Sequence, residues 1–144
     1  MSESTISLRL NELIDFFNRA PLKHAFGMVI SYNEQGNAVF DMPYNPKFDH
    51  TMGGIYGGVV ASMIDNAGWY TAAAHTDNWV STANLNIQLL EPAAKTDIKA
   101  IGELIRAGKR LSVVEIKVFA GGNRLIATGS GNFAISSIPR SSIS

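Results

Sequence analysis

Apolar residues recur along this chain with two different periods, and the change of period divides it. Over residues 5–18, TISLRLNELIDFFN, the residues Leu10, Leu13, Ile14 and Phe17 fall at helical spacing, while Arg9, Asn11 and Asp15 take other faces. That spacing predicts an amphipathic helix bounded by Pro21, within an N-terminal helical segment of residues 1–25. FGMVISYNEQGNAVFDMPY then reads as two short strands around a turn at Gln35-Gly36-Asn37. NPKFDHTMGG follows as a loop rich in turn-forming residues.

The next stretch, GGIYGGVVASMIDNAGWYTAAA, alternates nowhere and is rich in alanine, which predicts a helix from about Gly57 to Ala74. Gly68 weakens it by about 1 kcal/mol relative to Ala. Val59, Val60, Met63, Ile64, Ala67, Trp69 and Tyr70 cover nearly its whole circumference, the pattern of a helix buried on every side.

After Asp77 the period falls to two. WVSTANLNIQLLEPA, DIKAIGELIRAGK, RLSVVEIKVFAGG and NRLIATGSGNFAISSI are strand-like, with turns at Ala107-Gly108-Lys109 and Gly121-Gly122-Asn123. One face of the last run carries Leu125, Ala127, Gly129, Gly131, Phe133 and Ile135. Small residues at its centre admit another element closely, and the buried helix is the natural occupant. The order predicts an α+β fold, an antiparallel sheet curled around one long helix with an N-terminal helix beside it. Neither linker nor repeat divides the chain, so residues 1–144 are expected to form one domain, with residues 137–144 a flexible tail.

Hydrophobic residues make up 46% and charged residues 17%, which argues against disorder. Lys plus Arg equals Asp plus Glu at 12 each, so no net field draws the chain to nucleic acid or anionic membrane. With no cysteine, thiolate zinc sites and a cysteine nucleophile are excluded. His24 and His75 do not share a pattern with other ligands, and no metal site is expected. MSESTISLRL lacks the features of a secretory signal, and Asp65 interrupts the one candidate membrane span at a cost of about 2.5–3.5 kcal/mol. The sequence therefore reads as a soluble, cytoplasmic protein with neither nucleic acid nor membrane as partner.

Asp65 is the single Asp, Glu, Lys or Arg between Asp49 and Asp77. A carboxylate in so apolar a segment needs a partner. It serves either as a cap or ion-pair group, or as a reactive one. HTMGGIYGGVVASMIDNA resembles the hotdog-fold acyl-CoA thioesterases, particularly the phenylacetyl-CoA and 4-hydroxybenzoyl-CoA thioesterase subgroups. Gly57 and Gly58 match the family's glycine pair at a helix start, and Asp65 matches its acidic residue two turns in. TANLNIQLLEPA, RAGKRLSVVEIKVF and RLIATGSGNFAI are similar to its later strands, so the resemblance runs from about Phe26 to Ile135. Two positions depart from it: Tyr56 stands where a histidine normally precedes the glycine pair, and His50 where Asn is common.

The resemblance implies hydrolysis of an acyl-CoA thioester, with coenzyme A as part of the substrate and no further cofactor. It makes the Gly57 amide, with Gly58 beside it, the oxyanion donor, which suits the unpaired N–H groups of a helix N-terminus. Asp65 becomes general base or nucleophile, held ionised by a donor such as Thr82. It lies eight residues beyond Gly57, roughly 12 Å along a helix, too far for both to serve one thioester in one chain. The family's side-by-side packing of two central helices would join them across a subunit boundary, in a homodimer or homotetramer. His50 and Tyr56 stand at the site mouth, and Arg106, Lys109 and Arg110 are candidates for the coenzyme A phosphates. Trp69, Tyr70, Leu89 and the phenylalanines are candidate acyl-pocket linings. The alternative is an acyl-CoA or lipid-binding hotdog protein without catalysis, favoured by Tyr56 in place of histidine.

Overall fold

Each hydrophobic run finds its element in a computed structural model, which describes residues 3–142. In chain order these are α1 (Glu3–Asn18), α2 (Pro21–Phe26), β1 (Val29–Tyr32), β2 (Ala38–Met42), α3 (Gly57–Ala73), β3 (Asn78–Leu89), β4 (Ile98–Ala107), β5 (Leu111–Ala120) and β6 (Arg124–Pro139). The strands form one antiparallel sheet in the order β1-β2-β4-β5-β6-β3. Alternation along β5 sends Ser112, Val114, Ile116, Val118 and Ala120 inward, and the sheet curls over α3 with Met63, Ile64 and Ala67 fully buried.

Small residues set the depth at which the helix sits. A Cβ on Gly129 would stand 2.6 Å from the Ile64 side chain, so the glycines of β6 do admit α3. The β6 pattern shifts once. A bulge opposite Val118–Phe119 leaves Leu125 half-buried and turns Ile126 into the core at 2% exposure, one residue from where strict alternation puts it.

α1 closes the open end of this arrangement. Leu13 and Phe17 enter the core, with Phe17 edge-on to Phe40 at 4.9 Å and to Tyr70 at 5.5 Å. Arg9 is buried because it is paired: Nε donates to Asp77 Oδ1 at 2.9 Å and a terminal nitrogen to the Ala74 carbonyl at 3.0 Å. The cation thereby satisfies a carbonyl at the negative end of α3. Pro21 opens the short α2 rather than merely ending α1, the position where a missing N–H costs nothing.

Two expectations need correction. α3 is not buried all round, because its own sheet leaves a stripe of Gly58, Ala61, Ser62, Asp65, Asn66 and Trp69 wholly or partly open. Of the tail 137–144, β6 takes the part through Pro139, and a 3-10 turn follows at Arg140–Ser142. Arg140 holds it, its backbone N–H donating to Asp77 O at 2.8 Å and its guanidinium to Asn78 O at 3.0 Å. Among the described residues no helix is long and apolar enough to cross a membrane.

Candidate active site

The loop before α3 folds on itself. His50 N–H donates to Gly54 O at 2.8 Å, Gly53 N–H to His50 O at 2.9 Å, and Ile55 N–H to Ala93 O at 2.8 Å. Gly53 makes the turn at φ 86°, where a side chain would be strained. Met52 N–H donates to His50 Nδ1 at 3.1 Å, which puts the ring proton of neutral His50 on Nε2. That nitrogen lies so close to Gly54 that a Cβ there would be 2.9 Å from it.

Tyr56 is the residue before the first helical turn, and its carbonyl accepts from Val59 N–H at 3.0 Å. Among the described residues the Gly57 and Gly58 amides have no acceptor, the expected state of a helix's first N–H groups. Gly57 and His50 line one hollow of about 280 Å³, together with Leu89, Leu90, Pro92 and Ile126. Gly58 is exposed, with nothing within 4 Å of where its Cβ would stand. Tyr56 is 58% exposed, edge-on to His50 at 6.2 Å between ring centroids.

Asp65 occupies a different place, two turns along on the open stripe. Thr82 Oγ1 on β3 donates to Asp65 Oδ1 at 2.7 Å, a short bond of the charge-assisted kind. The carboxylate opens onto a second hollow of about 190 Å³, walled by Phe16, Trp69, Tyr70 and Trp79. Burial pushes the Tyr70 phenol well above its ordinary value.

The structure thus brings together His50 with Gly57, and Thr82 with Asp65. It does not bring the two pairs together in one chain. Trp69 and Tyr70 line the Asp65 hollow, whereas Leu89 lines the Gly57 one. Arg106, Lys109 and Arg110 are all exposed and reach neither hollow. Arg106 lies in the sheet row of Val113, Asn132 and Asn84, about 17 Å along β3 from Leu89 beside Gly57. Sequence reasoning missed Trp79, while Phe16 is one of the phenylalanines it offered as pocket linings.

Comparison with known proteins gives a consistent picture. Residues 52–127 match the family model described as thioesterase superfamily. "Putative esterase SSO2140" of Saccharolobus solfataricus is 33% identical over 103 residues, covering 71% of this chain and 74% of that protein. A second esterase-named protein of that organism is 29% identical over 131 residues, covering 89% of this chain and 86% of its own. In fold, this chain is similar to the PaaI protein from the phenylacetic acid degradation operon of E. coli, with TM-score 0.84 and 19% identity over 96% of this chain and 99% of that one. It is similar also to a thioesterase family protein from Silicibacter pomeroyi, with TM-score 0.82 and 24% identity over 91% and 99%.

Proposed function

Because this chain belongs to the thioesterase superfamily, we propose that it hydrolyses an acyl-CoA thioester at a site assembled from two copies of itself. The observation that carries the reading is the Thr82–Asp65 hydrogen bond, which orients a carboxylate on the one face of α3 its own sheet leaves open. β3, at the sheet edge beside that face, has twelve residues and no charge or proline among them, NWVSTANLNIQL. A long uncharged edge strand invites pairing. A second copy that pairs there and lays its α3 alongside would cover edge and stripe together and set its Gly57 against Asp65.

The thioester oxygen then lies on the partner's Gly57 amide, with the Gly58 amide and His50 Nε2–H as further donors. These stabilise the charge that develops as the carbonyl is attacked. Asp65 takes a proton from water as that water adds to the carbonyl carbon. The carbon–sulfur bond then breaks, and the proton returns to the departing thiolate. In the alternative course Asp65 itself attacks, giving a mixed anhydride that water opens. No cofactor enters either course.

Thiol release from a panel of alkyl and aromatic acyl-CoAs tests the proposal, and folded protein that turns over none of them defeats it. Binding without turnover is the result the non-catalytic reading requires. That reading draws on Tyr56, which offers a phenol rather than an imidazole at the helix mouth. Thr82→Val removes the donor that fixes Asp65. It should lower kcat by roughly 10- to 100-fold, the equivalent of about 1.5–3 kcal/mol for a hydrogen bond to a charged group. Thr82→Ser, which keeps the hydroxyl, should stay near wild type.

A two-fold pairing also carries the β4–β5 hairpin of one copy toward the partner's Gly57 end, where coenzyme A phosphates would leave the site. Replacing Arg106, Lys109 and Arg110 with Gln should raise KM for acyl-CoA several-fold with kcat little changed. The same variant should flatten the salt dependence of kcat/KM, and an unaltered KM would remove these residues from the site.

A further inference from the structure

The hollow at Asp65 has a volume of about 190 Å³. One of its walls comes from α1. Phe16 stacks on Trp69 at 6.1 Å between centroids with a 6° interplanar angle, and meets Trp79 at 6.3 Å in an edge arrangement. Phe16 also lines a larger, polar hollow of about 580 Å³ bounded by Glu12, Arg19, Asp77 and Arg140. It is the one residue the two linings share.

We propose that Phe16 sets the acyl-size limit of this site, its ring being the partition between the Asp65 hollow and the larger one behind it. The inference rests on the thioesterase reading for its substrate, and on geometry for the partition. The ring is held from both sides, by Trp69 on one and by the Arg19 guanidinium 5.8 Å from its centroid on another. Trp69 is itself fixed, Nε1 donating to Val80 O at 2.7 Å. α1 cannot swing aside, because Leu13 and Phe17 are in the core and Arg9 ties the helix to Asp77 and Ala74. An acyl tail that runs from Asp65 along this wall meets the Phe16 ring. Truncating the ring joins the two hollows.

The variants Phe16→Ala and Phe16→Leu are compared with wild type across butanoyl-, hexanoyl-, octanoyl- and decanoyl-CoA. Each methylene admitted or refused is worth roughly tenfold or more in specificity. The ratio of kcat/KM for decanoyl- to butanoyl-CoA should therefore rise by at least about tenfold in Phe16→Ala, and by less in Phe16→Leu. A merely structural Phe16 lowers all four substrates alike and leaves the ratio unchanged, which overturns the inference.

A second readout is independent of turnover. The chain has two tryptophans, Trp69 and Trp79, and both line the Asp65 hollow. Their emission is titrated with straight-chain alkanoates of the same four lengths. Wild type should respond most tightly to one of the shorter alkanoates, and Phe16→Ala should shift its tightest response to a longer one. No response in wild type, or the same order of affinities in both proteins, overturns the partition. If the emission series shifts while no acyl-CoA is hydrolysed, the partition stands and the thioesterase reading falls.

Discussion

Asp65→Asn is expected to lower thioester hydrolysis by about 10²–10⁴-fold with the fold intact, the usual weight of one positioned general base. Asn has nearly the shape of Asp, and its side-chain oxygen can still accept from Thr82 Oγ1, the bond that Asp65 Oδ1 accepts now at 2.7 Å. What it loses is the ability to take a proton or to attack a carbonyl. Circular dichroism and the melting temperature should match wild type while thiol release all but disappears. Activity within a few-fold of wild type would mean Asp65 is an interface or capping group, and the proposed chemistry would have no base. If the activity does vanish, a single turnover of wild type in oxygen-labelled water separates the two courses: general-base attack puts the label in the acid released, and direct attack with the anhydride opened at Asp65 puts it in the Asp65 carboxylate.

Gly68→Ala is expected to destabilise the protein, against helix propensity. Propensity alone favours Ala by about 1 kcal/mol. A Cβ at this position, however, would lie 2.4 Å from Phe133 Cζ, 2.9 Å from Phe133 Cε2 and 3.2 Å from Ile116 Cδ1. Phe133 is fully buried, and its ring is confined on another side by Gly131, where a Cβ would stand 2.6 Å away. The ring cannot retreat, so one methyl overpacks the core. The net loss should be about 1–3 kcal/mol, a fall of a few degrees in melting temperature for each kcal/mol. Scanning calorimetry decides the sign. A variant that melts at or above wild type would show that Phe133 can move and that α3 is not seated by this contact.

These two residues mark how far the sequence could be read. Asp65 stood out because it is the lone charge in a long apolar stretch, a contrast that local pattern exposes. Gly68 looked like a tolerated weakness, since nothing nearby in sequence shows that a phenylalanine 65 positions later rests on it. The strands, their turns and α3 were legible because periodicity and turn chemistry act within a few residues. Ile126 taking Leu125's inward place was not, because the bulge follows from pairing with a neighbouring strand. The open stripe on α3 was misread for a related reason. Composition counts apolar residues around a helix but does not say which face the sheet will reach.

The sequence by itself determined the order of elements, the long helix under a curled sheet, and the eight-residue spacing of Gly57 and Asp65 along that helix. These depend on local spacing, which the chain carries in one dimension. Tertiary structure decided that Thr82 donates to Asp65, that His50 and Gly57 share a hollow from which Asp65 is absent, and that Phe16 of the first helix lines two hollows. Each of those depends on contacts between residues distant in the chain, where packing of whole side chains in three dimensions, rather than local preference, sets the distances.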